Sequence, residues 1–199
     1  ERALPPEVLK NVMKQYKLGD PIHVQYKDWL LRLLTEGSLG YSTKYPNRTV
    51  EELIGITLPV SIQLGLMAMV VALAIGLPLG IIGAVRQNTW KDSLAMAVSM
   101  LGISVPRFVL APLLVLVFSL KLYWLPVARW ENWRNAVMPV FCAALPMAAY
   151  IARLARAGML EVIRSDFVRT ARAKGLSERT IILRHTLKGG LLPVVSFLG

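Results

Sequence analysis

An unusually long uncharged segment sets the main constraint on this chain. Residues 58–85 contain no charged side chain across 28 consecutive positions. About 20 predominantly apolar residues are enough for a helix to cross the hydrocarbon of a bilayer. Because the bilayer offers no water to backbone amides, a segment of this kind is expected to be helical. The sequence therefore predicts an all-α protein, a polytopic bundle of transmembrane helices.

Further apolar segments follow the first one. We predict a second span over about 94–120, a third over about 136–156, and a further span beginning at about 189. Four glycines in the first span, at positions 65, 76, 80 and 83, provide small surfaces for close helix packing. Residues 1–57 are polar enough to lie outside the bilayer and have a helical pattern. The capping box at Thr49–Glu52 predicts a helix start near Val50.

The distribution of charge predicts the orientation of the spans. The formal net charge is +11, and residues 153–199 hold nine Lys or Arg against three Asp or Glu. Concentration of basic residues after the last apolar span is typical of a cytoplasmic loop and argues against nucleic-acid binding. Residues 86–93 are then cytoplasmic too, and residues 1–57 and 121–135 lie on the outer side. Three tryptophans within 124–133 are typical of an aromatic belt at the membrane surface.

The basic segment 161–188 has the pattern of two short helices joined by an elbow. Gly175 is expected to end the first helix, and Ser177 to cap the second. Phe167, Thr170, Ala171 and Lys174 fall on one helical stripe, where the small Ala171 and Ala173 would let a partner approach closely. A compact protrusion of this kind between two membrane helices can act as a rigid handle. The alternative is a basic stretch held to anionic lipid.

Several blocks of the sequence resemble a known family. Residues 170–176 (Thr-Ala-Arg-Ala-Lys-Gly-Leu) and 185–187 (His-Thr-Leu) are similar to the cytoplasmic EAA loop of ABC importer permeases, in the dipeptide, oligopeptide and nickel branch. The resemblance is greatest to the B-type permease subunits of oligopeptide importers. Further similar blocks lie at 4–9, 18–21, 25–26, 37–42, 106–114, 125–126 and 150–156.

The resemblance implies a fold and a set of partners. The family fold is the ABC type I importer permease, with six transmembrane helices per subunit and a cytoplasmic coupling-helix loop. This chain would be a fragment that lacks the first and last of those helices, with residues 1–57 as an extracytoplasmic segment and 58–199 as the permease domain. Its expected partners are a second homologous permease, two cytoplasmic ATPase subunits and an extracytoplasmic peptide-binding protein. The implied ATPase-coupling residues are Phe167, Thr170, Ala171, Ala173, Lys174, Gly175, Leu176 and Ser177.

Arg107 is the one charged residue deep inside a predicted span. It lies 13 residues into the span, about 20 Å along a helix from its cytoplasmic end. A charge at that depth is costly and is expected to face protein or water. Arg107 either lines the translocation path, where it would meet a peptide carboxylate, or snorkels to the outer surface after a kink at Pro106.

The sequence gives little sign of chemistry on this chain. It contains no Gly-x-x-x-x-Gly-Lys-Ser/Thr motif, so ATP and Mg²⁺ are expected on partner ATPase subunits and no cofactor on this chain. No catalytic triad or paired catalytic carboxylates is convincing. Cys142 is expected to be a small buried hydrophobe and His185 a structural residue, with no metal site. We therefore interpret the chain as a transport subunit and not an enzyme.

The function expected from the sequence is import across the bacterial inner membrane. The chain would form the pathway for oligopeptides or dipeptides, and residues 161–188 would couple it to the ATPases. Alternatives are the same machinery with nickel chelates, glutathione or another small solute as cargo. A non-transporting structural subunit and a membrane-embedded enzyme are more distant alternatives, the latter disfavoured by the absence of a nucleophile or metal constellation.

Overall fold

The computed structural model describes residues 13, 19–42, 44–45, 48–127 and 129–199. The chain divides into two compact units, residues 1–62 and 63–199. The described residues are helical apart from loops and one isolated bridge between Tyr41 and Thr49. An all-α fold is thereby confirmed. The first eighteen residues of the segment predicted to be helical, 1–57, lie outside the described residues except for residue 13.

Helix α1 of the first unit spans Ile22–Glu36. Helix α2 spans Val50–Val85 and begins in the first unit. Helix α1 ends at Gly37, whose φ of 65° lies in the left-handed region that favours glycine. The Thr49 hydroxyl accepts a hydrogen bond from the Glu52 amide at 3.3 Å, so the predicted start of a helix at Val50 is confirmed. Near the same helix start, the Glu51 carboxylate accepts a hydrogen bond from the backbone amide of Leu39.

The second unit contains the rest of α2 and the remaining helices. These are α3 (Trp90–Ser104), α4 (Arg107–Leu114, continuing as π-helix over Val115–Lys121), α5 (Trp133–Ile163), α6 (Asp166–Ala173), α7 (Glu178–Thr180, continuing as π-helix over Ile181–Thr186), α8 (Leu187–Gly190) and α9 (Leu192–Leu198). Helix α5 is capped at Asn132, whose side chain accepts a hydrogen bond from the Arg134 amide at 3.0 Å. It runs past the predicted third span at both ends, and Pro139 and Pro146 lie within it.

Glycines bring α2 and α5 into backbone contact. A Cβ added at Gly76 would lie 2.5 Å from the carbonyl oxygen of Ala148, and one at Gly80 would lie 2.5 Å from that of Ala152. Neither position has room for a side chain. The prediction of close packing is confirmed at Gly76, Gly80 and Gly83, but Gly65 has open space around it. Small residues four apart allow such approach where lipid provides no hydrophobic drive for association.

The predicted second span is broken. Helix α3 ends at Ser104, and the axis bends by 97° before the helix that runs from Arg107 to Lys121. Val105 has extended backbone angles (φ −92°, ψ 115°), as expected before a proline, because the Pro106 ring disfavours a helical residue on its N-terminal side. Arg107 is therefore the first residue of a new helix, rather than a residue 13 positions into a continuous one.

Among the described residues, α2 and α5 are long and apolar enough to cross a membrane. The number of candidate membrane spans rises to four if each of two bent helix pairs forms one span. The first pair is α3 with Arg107–Lys121, and the second joins Glu178–Gly190 to Leu192–Leu198 at an angle of 42°. These helices are those of a multi-pass membrane protein.

The glycine contacts predict a difference between two alanine substitutions in one helix. Gly80→Ala places a methyl group against the Ala152 carbonyl, so we expect a loss of about 1–3 kcal/mol from overpacking. Gly65→Ala is the matched control, because it makes the same gain in helix propensity in open space. The thermal unfolding midpoint of the detergent-solubilised protein should fall for Gly80→Ala and stay or rise for Gly65→Ala. Equal midpoints would contradict tight packing at Gly80.

Candidate functional site

Residues 166–190, which we call the hairpin, emerge from the end of α5 and fold back onto it. The first helix of the hairpin, α6, ends in a Schellman motif. The Gly175 amide donates to the Arg172 carbonyl at 2.9 Å, and the Leu176 amide donates to the Ala171 carbonyl at 3.3 Å. Gly175 has a φ of 79°, a left-handed conformation that glycine adopts without strain. The sequence prediction that Gly175 ends this helix is confirmed.

Two side-chain contacts fix the second half of the hairpin. The Ser177 hydroxyl caps α7 by accepting a hydrogen bond from the Thr180 amide at 3.4 Å, as predicted. The Arg172 guanidinium donates two hydrogen bonds, of 2.7 and 3.2 Å, to the Glu178 carboxylate. These bonds raise the pKa of Arg172, so its charge is held throughout the physiological range. The bidentate pair closes the elbow between the two helices of the hairpin.

The hairpin has a small core of its own. Val168 and Ile181 are fully buried, and Ala171 lies between them with 6% of its surface exposed. Val162, near the end of α5, packs against this cluster. The hydroxyl of Thr186, also fully buried, donates to the Ile181 carbonyl at 3.1 Å. A protrusion with a packed core is expected to keep its shape when a force acts on it.

The base of the hairpin is locked onto α5 by a second glycine contact. A Cβ at Gly158 would collide with the carbonyl oxygen of Gly190, and one at Gly190 would lie 2.9 Å from the Cα of Met159. Met159 is itself fully buried. The base of the hairpin therefore packs directly against the backbone near the end of α5.

The predicted coupling residues divide into two groups. Ala171 belongs to the hairpin core, with 6% of its surface exposed. The exposed members of the set are Phe167, Thr170, Ala173, Lys174, Gly175, Leu176 and Ser177. Among them Phe167 and Leu176 are large and apolar, with 53% and 40% of their surfaces exposed. The hairpin therefore exposes two of its large apolar side chains on an otherwise charged surface.

Sequence reasoning missed the residues that hold the hairpin together. Val168 and Ile181 form its core, and the available signal was the three-residue spacing of Val168 and Ala171 on α6. His185 is half-buried and has no resolved role. No cluster of three or more potential metal ligands occurs in the described parts of the chain.

Arg107 lines a cavity of about 310 Å³ between α4 and α5. Arg129 lines the same cavity, and its guanidinium also pairs with Glu131 at 3.1 Å on the surface. Most of the wall is apolar, but Asn135 and Cys142 contribute polar atoms. Cys142 is only partly buried, and its thiol lies 3.9 Å from the Arg107 carbonyl. The expectation that Cys142 is a buried hydrophobe is therefore met only in part. Two arginines are among the residues that line the cavity, and one of them, Arg129, is paired with Glu131.

The hairpin core predicts opposite outcomes for two neighbouring residues. Val168→Ala removes two buried methyl groups, so we expect hairpin opening to become easier by about 2 kcal/mol. Amide hydrogen exchange in α6 should accelerate roughly 30-fold, because each 1.4 kcal/mol is a factor of ten. Phe167→Ala should leave exchange within about twofold, as expected for an exposed side chain. Equal acceleration by the two substitutions would show that the core is not where the structure puts it.

Comparison with known proteins agrees with this architecture. The family of binding-protein-dependent transport system inner membrane components matches residues 76–199. The oligopeptide transport system permease protein OppB of Salmonella typhimurium is 47% identical over 201 residues, covering 100% of this chain and 65% of its own length. The dipeptide permease DppB of Bacillus subtilis is 41% identical (100% and 64%), and the glutathione permease GsiC of Escherichia coli is 35% identical (97% and 62%). The chain thus spans just under two thirds of these relatives, and it belongs to the family of binding-protein-dependent transport system inner membrane components.

Proposed function

We propose that this chain is part of the permease subunit of an ATP-driven importer, and that its hairpin couples the transmembrane helices to ATPase subunits on separate chains. The structure of the hairpin is the observation that supports the proposal. The hairpin has its own hydrophobic core and packs closely against α5. It also leaves the apolar side chains of Phe167 and Leu176 exposed. Such a body transmits force by rigidity and a fitted interface, without chemistry of its own. Alternating access would follow as ATP binding and hydrolysis move the hairpins.

The expected assembly pairs this subunit with a second homologous permease. Two ATPase subunits would dock on the cytoplasmic side and supply ATP and Mg²⁺, and an extracytoplasmic binding protein would deliver cargo. The nine basic residues within 153–188 favour a cytoplasmic location for the hairpin, in the inner membrane of a bacterium. No cofactor is expected on this chain.

Peptides are the proposed cargo. The relatives named for oligopeptide and dipeptide transport are 47% and 41% identical to this chain, against 35% for the glutathione permease. Glutathione is itself a small peptide, so it stays a second candidate. Uptake of a labelled tripeptide by the full-length complex in proteoliposomes, with dipeptide, glutathione or a nickel chelate as competitor, would identify the cargo. Absence of tripeptide uptake by a complex that does take up a labelled nickel chelate would exclude peptides.

The turn at Gly175 provides a test of coupling at a single position. Gly175→Val forces a β-branched residue into a left-handed conformation, at a cost of about 1–2 kcal/mol, and should distort the elbow. Gly175→Asn is the matched control, since asparagine tolerates that conformation. We expect ATPase binding and peptide uptake to fall severalfold for the valine variant and to stay near normal for asparagine, with equal membrane insertion. Normal uptake by Gly175→Val would contradict the coupling role.

We further propose that Arg107 lines the translocation path and meets the carboxylate of a passing peptide. Loss of one charge-assisted hydrogen bond is worth about 1.5–3 kcal/mol, so Arg107→Ala should reduce preference for a free carboxyl terminus over an amidated one by about tenfold or more. Competition uptake assays measure this preference directly.

Two further variants complete the Arg107 test. Arg107→Lys should keep part of the preference, because it retains the charge. Lys121→Ala is the control, because Lys121 is an exposed cation at the other end of the helix that begins at Arg107. It should leave the preference for a free carboxyl terminus unchanged. An unchanged preference in Arg107→Ala would favour an arginine that merely snorkels to the surface.

A further inference from the structure

A buried ion pair joins two helices at the hairpin end of α5. The Arg156 guanidinium donates from Nε to Asp92 Oδ1 and from Nη2 to Asp92 Oδ2, both at 2.7 Å. The Asn88 amide donates a third bond, of 3.0 Å, to Oδ2. The Asp92 side chain has 7% of its surface exposed and that of Arg156 has 26%. A bidentate pair of this kind fixes the relative orientation of its two helices as well as their distance.

A third helix closes over the pair. A Cβ at Gly83 of α2 would lie 3.1 Å from both Asp92 Oδ1 and the Cδ of Arg156. The ion pair therefore sits at the meeting point of α2, α3 and α5. Nearby, the Arg164 guanidinium donates to the Gln87 side-chain carbonyl at 3.0 Å and ties the turn before α3 to the C-terminal cap of α5.

The pair lies between the two functional elements described above. Arg156 lies on α5, seven positions before that helix ends at Ile163 and ten before the hairpin starts at Asp166. At the other end of α3, a Cβ at Gly102 would lie 2.7 Å from the Leu145 carbonyl, three residues before the break at Val105. Helix α3 is thus held to α5 at both ends, and the break leads directly to Arg107 and its cavity.

We propose that Asp92 and Arg156 are positioning residues that make α3 move with α5, so that displacement of the hairpin reaches the break before Arg107. This inference rests on the proposed transport function. The glycine contact at Gly102 allows close approach but has no directional bond. The Arg164–Gln87 bond is exposed and single, so the bidentate ion pair is the stronger restraint on sliding or rotation of α3 on α5. Without the pair, the hairpin would move while the Arg107 helix did not follow.

The test measures peptide transported per ATP hydrolysed, using the full-length permease with its ATPases and binding protein in proteoliposomes. A complex with Asp92→Asn should assemble and hydrolyse ATP. The amount of peptide that it transports per ATP should fall about tenfold, in the range of typical coupling effects. Arg156→Lys keeps the charge but loses the two-pronged geometry, and should give an intermediate ratio. Glu52→Gln is the control, because it removes the carboxylate of an exposed, 3.8 Å pair with Arg48. A wild-type ratio in Asp92→Asn would overturn the inference.

A second variant and a second readout cover the case in which Asp92→Asn fails to assemble. The double variant Asp92→Asn, Arg156→Gln leaves no unpaired charge and retains a hydrogen-bonding pair. A wild-type ratio of peptide transported to ATP hydrolysed in this double variant would overturn the inference, and a reduced ratio would support it.

The second readout is the distance between two spin labels, attached at the exposed positions Lys91→Cys and Ala157→Cys in a Cys142→Ser background. This distance should stay constant through the ATP cycle only when the ion pair is intact.

The outcomes separate the two proposals. A wild-type complex that assembles but moves no peptide would contradict the proposed function, whatever Asp92 does. Wild-type transport with an unchanged ratio and an unchanged label distance in the Asp92 variants would contradict only the positioning role.

Discussion

The close approach of α2 and α5 through glycine is the constraint on which the rest of the second unit depends. Helices inside a bilayer gain nothing by exchanging lipid for Leu, so association depends on van der Waals contact and hydrogen bonds. Gly76 and Gly80 let the backbone of α2 reach the carbonyl oxygens of α5. Gly158 and Gly190 repeat the device where the hairpin returns to α5. Because both contacts involve α5, this helix is the one to which α2 and the hairpin are both attached.

The hairpin combines two kinds of interaction that seldom occur in so short a segment. Its inner side is a hydrophobic core of Val168, Ala171 and Ile181. Its outer side is charged, with the Arg172–Glu178 pair at the elbow and the exposed Asp166–Arg169 pair at 3.0 Å along α6. Exposed pairs contribute little to stability, whereas the core and the Gly175 turn fix the shape. The geometry of the outer surface is therefore set from inside.

Sequence alone predicted the elements whose cause is local. The helix start at Val50, the turn at Gly175 and the cap at Ser177 each depend on residues within five positions of one another. The break at Pro106 was not predicted as a 97° bend, because proline is also accommodated inside α4 and α5, at Pro112 and Pro139. Whether a helix continues through proline depends on what the freed carbonyl and the neighbouring helices can do.

Contacts between distant positions were beyond sequence reasoning for a different reason. Phe167 and Val168 are adjacent and both apolar, and only the position of Ile181 makes one of them core and the other surface. Asp92 and Arg156 are 64 residues apart, and each has an ordinary interpretation as a solvated charge near the end of a span. Their pairing follows from the packing of α3 on α5, which no local pattern encodes.

The energetics of that pair indicate why a charge is kept in such a place. Removing two ions from water costs several kcal/mol each, and an apolar pair of similar volume is often as stable. Stability is therefore a weak reason for Asp92 and Arg156. The glycine contact between α3 and α5, at Gly102, is close but contains no directional bond. A bidentate guanidinium–carboxylate pair tolerates far less rotation, because both of its bonds weaken together. Small residues thus allow the helices to meet, and the ion pair determines the register in which they meet.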